Sequence, residues 1–144
     1  MSPEVQATID RAVAAARARV PDSATLIGVG WATVDLDRAA AELGITPSDV
    51  APDDALGARC RAIDGPDGVA FVLLEPSTDG RLAATLARWD EGPAITWWDV
   101  PAVDGRAAAP ETSGPLGAVR LLRDGGRDGP WRFLRVRSPV TISP

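Results

Sequence analysis

The sequence contains no histidine, no lysine and no tyrosine, and its 144 residues include a single cysteine, Cys60. Without histidine, the chain lacks the commonest metal ligand and the commonest general base near neutral pH. A Ser–His or Cys–His nucleophile pair is therefore excluded. One cysteine also excludes an internal disulfide framework and a thiolate metal cluster. Since GVGWAT (28–33) lacks the third glycine of a phosphate-binding loop, we predict no cofactor.

Long apolar runs and excess positive charge are also missing. No apolar run reaches the roughly 18 residues that a membrane helix needs, and the acidic start MSPEVQATID is unlike a secretory signal. The net charge is −5, from 15 arginines and 20 acidic residues, so nucleic-acid binding has no overall electrostatic support. We therefore expect a cytoplasmic protein with no membrane and no nucleic-acid partner.

The charge is unevenly distributed along the chain. From Pro115 onward the sequence has six arginines and two aspartates, whereas the rest has nine arginines and eighteen acidic residues. An arginine-rich segment could receive an anionic ligand. The more ordinary alternative is a solvated strand face that pairs with the acidic remainder.

The length and the composition, with 45% hydrophobic and 24% charged residues, are typical of one globular domain. We predict a single domain over 1–144, with an N-terminal helix within 1–22, a first module over 24–78, and a connecting helix and second, divergent module over 79–144. Ser2 as N-cap, Pro3 and a helical apolar stripe predict the helix over 3–19, before Pro21.

Short β-branched and aromatic segments predict seven strands, at 24–34, 59–63, 69–74, 94–100, 117–123, 131–137 and 139–143. A short helix is predicted between the cap Asp35 and Gly44. A further helix is predicted to begin at Ser77 or Asp79 and to end near Trp89. Residues 46–55 are expected to form a polar loop, and 101–115 carry only weak signals.

Three stretches of the chain resemble the vicinal oxygen chelate superfamily, which includes glyoxalases, methylmalonyl-CoA epimerases and bleomycin-resistance proteins. They are IGVGWATVDLDRAAAEL (27–43), LGARCRAIDGPDGVAFVLLEP (56–76) and GRLAATLARWDEGPAITWWDV (80–100). The second ends in a pattern similar to the family's Glu-Leu-Leu-x-Pro. The resemblance implies an α+β fold in which paired βαβββ modules form a curved mixed sheet around a cleft, here with an extra N-terminal helix.

The family's metal ligands are not retained. Aligned with the family pattern, the ligand positions of the first three strands fall on Gly28, Val72 and Ile95, or on Ala94 with a slip of one residue. The last-strand ligand has no counterpart in the stretch 135–140. A metal centre needs several donors held together, so we predict no metal, and Gly28 would instead leave space in the cleft.

The resemblance and strand alternation together nominate a cleft-facing set. Gly28 and Gly30 share one strand face, where small residues leave room for a backbone, a bulky side chain or a ligand. Trp97 and Trp98 must point to opposite faces; if Ile95 faces the cleft, Trp97 and Asp99 do too. Tryptophans suit flat or apolar ligands, although core packing is the alternative. The ligand-binding candidates are Gly28, Gly30, Val72, Ile95 and Trp97, together with Trp31 as a further tryptophan.

Charged candidates come from the strand ends. Asp99 and Glu75 are the candidate catalytic carboxylates, although Glu75 is also a natural strand-end cap. Arg135 and Arg137 share a face with aromatic residues, which suits a carboxylate or enolate ligand but also suits an edge strand. Cys60 reads as a small buried hydrophobe.

Two functions compete on these observations. The resemblance implies a metal-independent small-molecule-binding protein of the glyoxalase/bleomycin-resistance type, which would handle a compact aromatic or polyketide-like compound. The alternative is a metal-free isomerase, cyclase or lyase acting on a carbonyl compound, with Asp99 or Glu75 moving a proton and Arg135 or Arg137 steadying an oxyanion. A third possibility is an inert cleft whose surface serves assembly. The resemblance also implies a homodimer.

Overall fold

The structure is a computed structural model that describes residues 1–124 and 129–136. These residues form three α-helices, α1 (Pro3–Arg17), α2 (Leu36–Leu43) and α3 (Arg81–Trp89). They also form eight strands: β1 (Thr25–Ala32), β2 (Ser48–Asp53), β3 (Ala58–Asp64), β4 (Ala70–Pro76), β5 (Gly92–Val100), β6 (Thr112–Gly114), β7 (Gly117–Leu121) and β8 (Trp131–Val136). None of the described helices has the length and apolar character that crossing a membrane requires.

All eight strands belong to one mixed sheet with the order β2-β3-β4-β1-β5-β8-β7-β6. In the first module, β1 runs parallel to β4; in the second, β5 runs parallel to β8. The two modules meet where β1 pairs antiparallel with β5. The α+β fold with paired modules in a curved mixed sheet is therefore confirmed, although no described helix lies between β5 and β6.

The curvature brings the two ends of the sheet close together. Directly after β2, the amide of Asp54 donates a hydrogen bond of 3.1 Å to the carbonyl oxygen of Ser113 in β6. The sheet is consequently nearly closed, with an inner face that lines its concave side and an outer face that carries α1 and α2. The apolar side chains of α3, Leu82 and Leu86, pack instead into the inner core.

Strand alternation sorts the apolar side chains into an inner and an outer set. The inner core includes Val72 from β4, Ile95 and Trp97 from β5, and Phe133 from β8, and all four side chains are completely buried. On the outer face, one cluster packs beneath α2 and the beginning of α1, and another packs beneath the end of α1. The inner core occupies the place where the sequence predicts a cleft.

The local signals for the first two helices are confirmed. The Ser2 hydroxyl accepts a hydrogen bond from the Val5 amide at 3.2 Å, and Asp35 caps α2 by accepting from the Arg38 amide at 3.1 Å. Gly44 ends α2 with a φ of +68°, a conformation that favours glycine.

Two helix boundaries differ from the prediction. α1 ends at Arg17 rather than at residue 19, because the chain turns back and the Arg17 guanidinium donates to the carbonyl oxygens of Pro21, Asp22 and Ala24. α3 begins after Gly80, which makes no side-chain capping bond, so the prediction of a cap at residue 77 or 79 is wrong.

The prediction of a loop over 46–55 is also wrong, because β2 lies within it. This strand is polar and mostly exposed, and it is held by pairing with β3, for example Ser48 with Ala62 and Val50 with Cys60. Its strand conformation therefore comes from a neighbour and not from its own residues. In the weakly predicted stretch 101–115, the structure places the short strand β6. The predicted strand at 139–143 lies outside the described residues.

Candidate ligand-binding site at the mouth of the sheet

The positions that the resemblance assigns to metal ligands lie together on the inner face. Gly30 pairs with Val72 on β4 and with Ile95 on β5, and Gly28 lies two residues away on the same face of β1. The sequence prediction that these residues share a face is therefore confirmed, and Val72 and Ile95 are wholly enclosed in the inner core.

The strand register also locates the fourth position. In the first module, Gly28 pairs with Ala70, two residues before Val72. In the second module, Ile95 pairs with Trp131. The residue two positions after Trp131 is Phe133, which is therefore the equivalent of Val72. Phe133 comes before the stretch 135–140, in which the sequence comparison finds no counterpart.

The residues at these positions do not fit a divalent metal. Glycine, valine, isoleucine and phenylalanine side chains carry no donor atom, whereas a protein metal site needs several oxygen, nitrogen or sulfur donors. Within 1–124 and 129–136, no group of three or more histidine, cysteine or acidic side chains could hold a metal ion. We therefore derive no chemistry through a metal at this place.

Trp97 fills the space that the two glycines leave. A Cβ atom added to Gly28 would lie 3.2 Å from Trp97 Cε3, and one added to Gly30 would lie 2.9 Å from Trp97 Cη2. The indole also stacks on Phe133, with the ring centroids 5.8 Å apart and an angle of 11° between the planes. Trp98 points to the outer face, where the Arg17 guanidinium lies 5.2 Å from its ring.

Leu116 is the second residue in this space. A Cβ atom at Gly28 would lie only 2.5 Å from Leu116 Cδ1. Leu116 belongs to the two-residue turn Pro115–Leu116, which joins β6 to β7 between the paired residues Gly114 and Gly117. The turn thus lies over the end of the inner face and inserts an apolar side chain into it.

A paired aspartate and arginine lie beside this turn. Asp99 and Arg135 are in register on the parallel strands β5 and β8. Arg135 donates from Nε to Asp99 Oδ1 at 2.7 Å, from Nη2 to Oδ2 at 3.0 Å, and from Nη1 to the Leu116 carbonyl oxygen at 3.1 Å. The hydrogen bond with Asp99 raises the pKa of Arg135, so the guanidinium remains charged.

These residues border an open cavity of about 560 Å³, which we name the mouth site. An arginine side chain has five N–H donors, so the three described bonds of Arg135 leave two for a ligand. Glu111 adds an exposed carboxylate, and the remaining lining is apolar or backbone. The mouth site comprises Asp99, Glu111, Leu116, Gly117, Ala118, Arg135 and Val136.

The other predicted site residues lie elsewhere. Glu75 is on the outer face, where it accepts from Arg59 at 2.5 Å. Trp31 also packs on the outer face, 6.4 Å from Phe71 between ring centroids. The structure therefore brings together Asp99 and Arg135 but separates them from Glu75 and Trp31. Arg137 lies outside the described residues.

Three residues of this region escaped the sequence analysis, Glu111, Leu116 and Phe133. The pattern Gly-Pro-Leu-Gly at 114–117 indicates a turn, but nothing local indicates that the leucine of this turn enters the core. Phe133 is found only through the pairing of β8 with β5.

A buried carboxylate, that of Asp53, lies where the two end strands β2 and β6 meet. Asp53 Oδ1 accepts from the Leu56 amide at 2.9 Å, whereas Oδ2 has no hydrogen-bond partner among the described residues. Burial raises the pKa of Asp53 to about 6. Burial, with the nearby Asp53 charge, also raises the pKa of the Cys60 thiol to about 12, which confirms Cys60 as an inert buried residue.

Comparison with known proteins supports the fold. Neither the family models nor the curated proteins compared gave a match to the sequence. Among solved structures, the methylmalonyl-CoA epimerase of Mycobacterium tuberculosis superposes with a TM-score of 0.64 at 19% identity, covering 86% of this chain and 96% of that one. A variant of the Streptomyces coelicolor methylmalonyl-CoA epimerase gives 0.60 at 21% identity, covering 78% and 96%.

A hypothetical protein of Bacillus halodurans C-125 superposes with a TM-score of 0.62 at 15% identity, covering 81% of this chain and 96% of that one. These structures are members of the vicinal oxygen chelate superfamily. The chain therefore has the vicinal oxygen chelate fold, as the sequence resemblance implied.

Proposed function

We propose that the protein binds a small organic molecule at the mouth site and does so without a metal. The observation that carries this proposal is the paired arrangement of Asp99 and Arg135. The aspartate fixes the plane of the guanidinium through two hydrogen bonds, and a third bond goes to the Leu116 carbonyl oxygen. Two of the five N–H groups therefore have no partner among the described residues and can donate to a ligand oxygen. A donor held in place before binding loses little freedom when the ligand arrives.

Binding is favoured over proton transfer by Asp99. Both carboxylate oxygens of Asp99 accept from Arg135, so Asp99 would have to leave this pair before it could act as a base. In the proposal, Asp99 is accordingly a positioning residue, and Arg135 is the residue that contacts the ligand. The fold neighbours support the proposal in general terms, because Streptomyces coelicolor epimerase variants hold 2-nitronate-propionyl-CoA.

The experiment is native mass spectrometry of protein purified from its own host, followed by titration with a panel of small carboxylates, ketones and amides. We expect an organic mass without a metal, and panel compounds that lose affinity in Arg135→Gln. Arg59→Gln is the matched control, since Arg59 also pairs with a carboxylate but lies on the outer face. Binding that needs an added divalent ion, or that Arg135→Gln leaves unchanged, would contradict the proposal.

One observation favours the second candidate function, a metal-free isomerase, cyclase or lyase. Glu111 lies in the mouth site with Arg135, and no described residue pairs with it. Glu111 could therefore move a proton while Arg135 steadies an oxyanion. Glu111→Gln would then abolish turnover of a bound carbonyl compound and leave its affinity largely unchanged, whereas a pure binding protein would show no turnover with either residue.

The predicted homodimer and the cytoplasmic location also belong to the proposal. The same native mass spectra measure the oligomeric state. A monomer at micromolar concentration would remove the homodimer from the proposal without affecting the ligand site, since the hydrogen bonds of Arg135 to Asp99 and Leu116 form within one chain.

A further inference from the structure

The side chain of Leu116 sits in a notch that only glycine at position 28 allows. Its Cδ1 atom lies 2.5 Å from where a Cβ of residue 28 would be, and the Trp97 indole forms another wall at 3.2 Å from the same point. An L side chain at position 28 would occupy this notch itself. The notch therefore accepts a branched apolar group of about the size of an isobutyl group.

Leu116 also accepts a hydrogen bond from the Arg135 guanidinium of the mouth site. The carbonyl oxygen of Leu116 accepts a hydrogen bond of 3.1 Å from Arg135 Nη1. Leu116 thus presents an isobutyl group to the notch and a neutral carbonyl oxygen to the arginine, a few bonds apart. A small molecule with these two features would place its branched end in the notch and its carbonyl oxygen on one of the two N–H groups of Arg135 that have no described partner, while the main-chain carbonyl of Leu116 keeps its own bond.

The charges around Arg135 favour a neutral carbonyl over a carboxylate. Asp99 already compensates the arginine charge through two hydrogen bonds, and Glu111 adds a further negative charge to the lining of the mouth site. The described lining of the mouth site therefore has a formal charge of −1, so a carboxylate ligand would meet repulsion from these residues that an amide, ester or ketone does not.

Leu116 is placed where it could leave the notch. It is only partly buried, it borders the open cavity, and the residue that follows its turn, Gly117, has a φ of +100°. Rotation of the Leu116 side chain into the cavity requires no break in the described pairing of Gly114 with Gly117.

We infer that Leu116 is an internal substitute for the ligand, and that the mouth site takes a short branched-chain compound with a neutral carbonyl group. The isobutyl-sized end of this compound replaces the Leu116 side chain above Gly28 and against Trp97, and its carbonyl oxygen accepts from Arg135. This inference rests on the proposed function and names the ligand class of the same site.

The test uses 4-methylpentanamide, which reproduces the side chain, Cα and carbonyl group of leucine. Hexanamide is its linear isomer, and 4-methylpentanoate is its charged counterpart. Calorimetric titration of Leu116→Ala should show at least tenfold tighter binding of 4-methylpentanamide than the unchanged protein shows, because the compound no longer competes with the side chain. Affinity should fall at least fivefold for hexanamide and for the carboxylate.

Leu121→Ala is the matched control, because Leu121 is a buried leucine of the same inner core without a described bond to Arg135. This variant should gain no preference for the branched amide. If Leu116→Ala does not fold, Leu116→Val serves in its place. It should show a smaller gain in affinity, again with 4-methylpentanamide bound more tightly than hexanamide and the carboxylate.

The outcomes separate this inference from the proposed function. Equal binding of branched and linear amides, or an equal gain in Leu121→Ala, would overturn the inference while Arg135-dependent binding of other panel compounds still stood. Loss of every Arg135-dependent interaction would overturn both.

Discussion

Arg132 is almost completely buried, with 2% of its side chain exposed, and its guanidinium donates to the carboxylate of Asp124. It also donates to the carbonyl oxygen of Arg19 at 2.5 Å, whereas its Nε has no described hydrogen-bond partner. Burial lowers the pKa of Arg132, and the Asp124 charge opposes this change. Arg132 thus links β8 to two other segments on the outer face: the one after β7, which contains Asp124, and the one after α1, which contains Arg19.

Asp124→Asn should destabilise the protein by about 1–3 kcal/mol, because the buried Arg132 charge loses its compensating partner. Chemical denaturation measures this change in the free energy of unfolding. Asp104→Asn should cost less, because Asp104 lines the surface groove beside Asp124 and Arg132 but has no described ion pair with Arg132. In the double variant with Arg132→Met most of the loss should be recovered, since no buried charge remains; a double variant as unstable as Asp124→Asn alone would contradict this account.

Arg135→Lys should weaken the binding of mouth-site ligands about tenfold or more. A lysine ammonium cannot form the planar, two-bond pair with Asp99 and would lose the fixed direction of its remaining donors. Asp99→Asn should have a smaller effect in the same direction, because it removes the hold on the guanidinium but not the guanidinium itself. Titration with the panel compounds checks both, and a stronger effect of Asp99→Asn would instead indicate direct contact between Asp99 and the ligand.

Gly28→Ala should cost about 1–3 kcal/mol of stability, since the added methyl group meets Leu116 Cδ1 and Trp97 Cε3. The cost should be smaller in a Leu116→Ala background, where one of the two contacts is gone. Thermal or denaturant unfolding of the four proteins in this cycle measures the coupling. Gly105→Ala is the control, because the nearest atom to its Cβ position lies 3.9 Å away; strict additivity of the two substitutions would show that Leu116 does not occupy the space above Gly28.

Asp53 should make the protein less stable as the pH rises from about 4 to about 6. Its pKa in the folded protein is raised to about 6 from an ordinary 3.8, so the folded state holds the proton more tightly than the unfolded chain does. The contribution of Asp53 to the free energy of unfolding is fully present below about pH 4. It is lost as the pH rises through 6, by about 3 kcal/mol in total. The neighbouring Asp54 charge also raises the pKa of Asp53, and the Cys60 thiol, with a pKa raised to about 12, stays neutral over this range.

Unfolding experiments across this range test the prediction with Asp53→Asn as comparison. The amide does not ionise, so the difference in the free energy of unfolding between the two proteins should change with pH and then level off above about 7. A difference that stays constant from pH 4 to pH 7 would show that Asp53 is not buried in the protonated form.

Cys60 should resist alkylation in the folded protein. Its thiol is buried and has a pKa raised to about 12, so the reactive thiolate is scarce at pH 8. Mass spectrometry after iodoacetamide treatment should show an unmodified chain under native conditions and one added group in denaturant. Rapid native labelling would mean that β3 opens readily.

The elements that could be predicted from sequence are those that carry their own signals. Asp35 and Gly44 delimit α2 through local hydrogen bonding and a positive φ, and the alternation of Gly28 and Gly30 correctly placed them on one face. The strand β2 could not be predicted, because its residues are polar and its conformation is imposed by β3.

The candidate site was predictable only in part for the same reason. Asp99 and Arg135 could be nominated from their strands, but their direct pairing follows from the register of β5 with β8. That Trp97 fills the inner face, and that Leu116 reaches it from a distant turn, depends on the curvature of the whole sheet. No sequence window contains this information.

The near closure of the sheet has a consequence for how the protein behaves in crowded solution. An end strand with unpaired amides is a template on which a second chain can add, and many proteins guard such strands with lysine. This chain has no lysine. Its end strands β2 and β6 instead face one another across the hydrogen bond from Asp54 to Ser113. Each strand therefore covers part of the other's edge, where a second chain would otherwise pair.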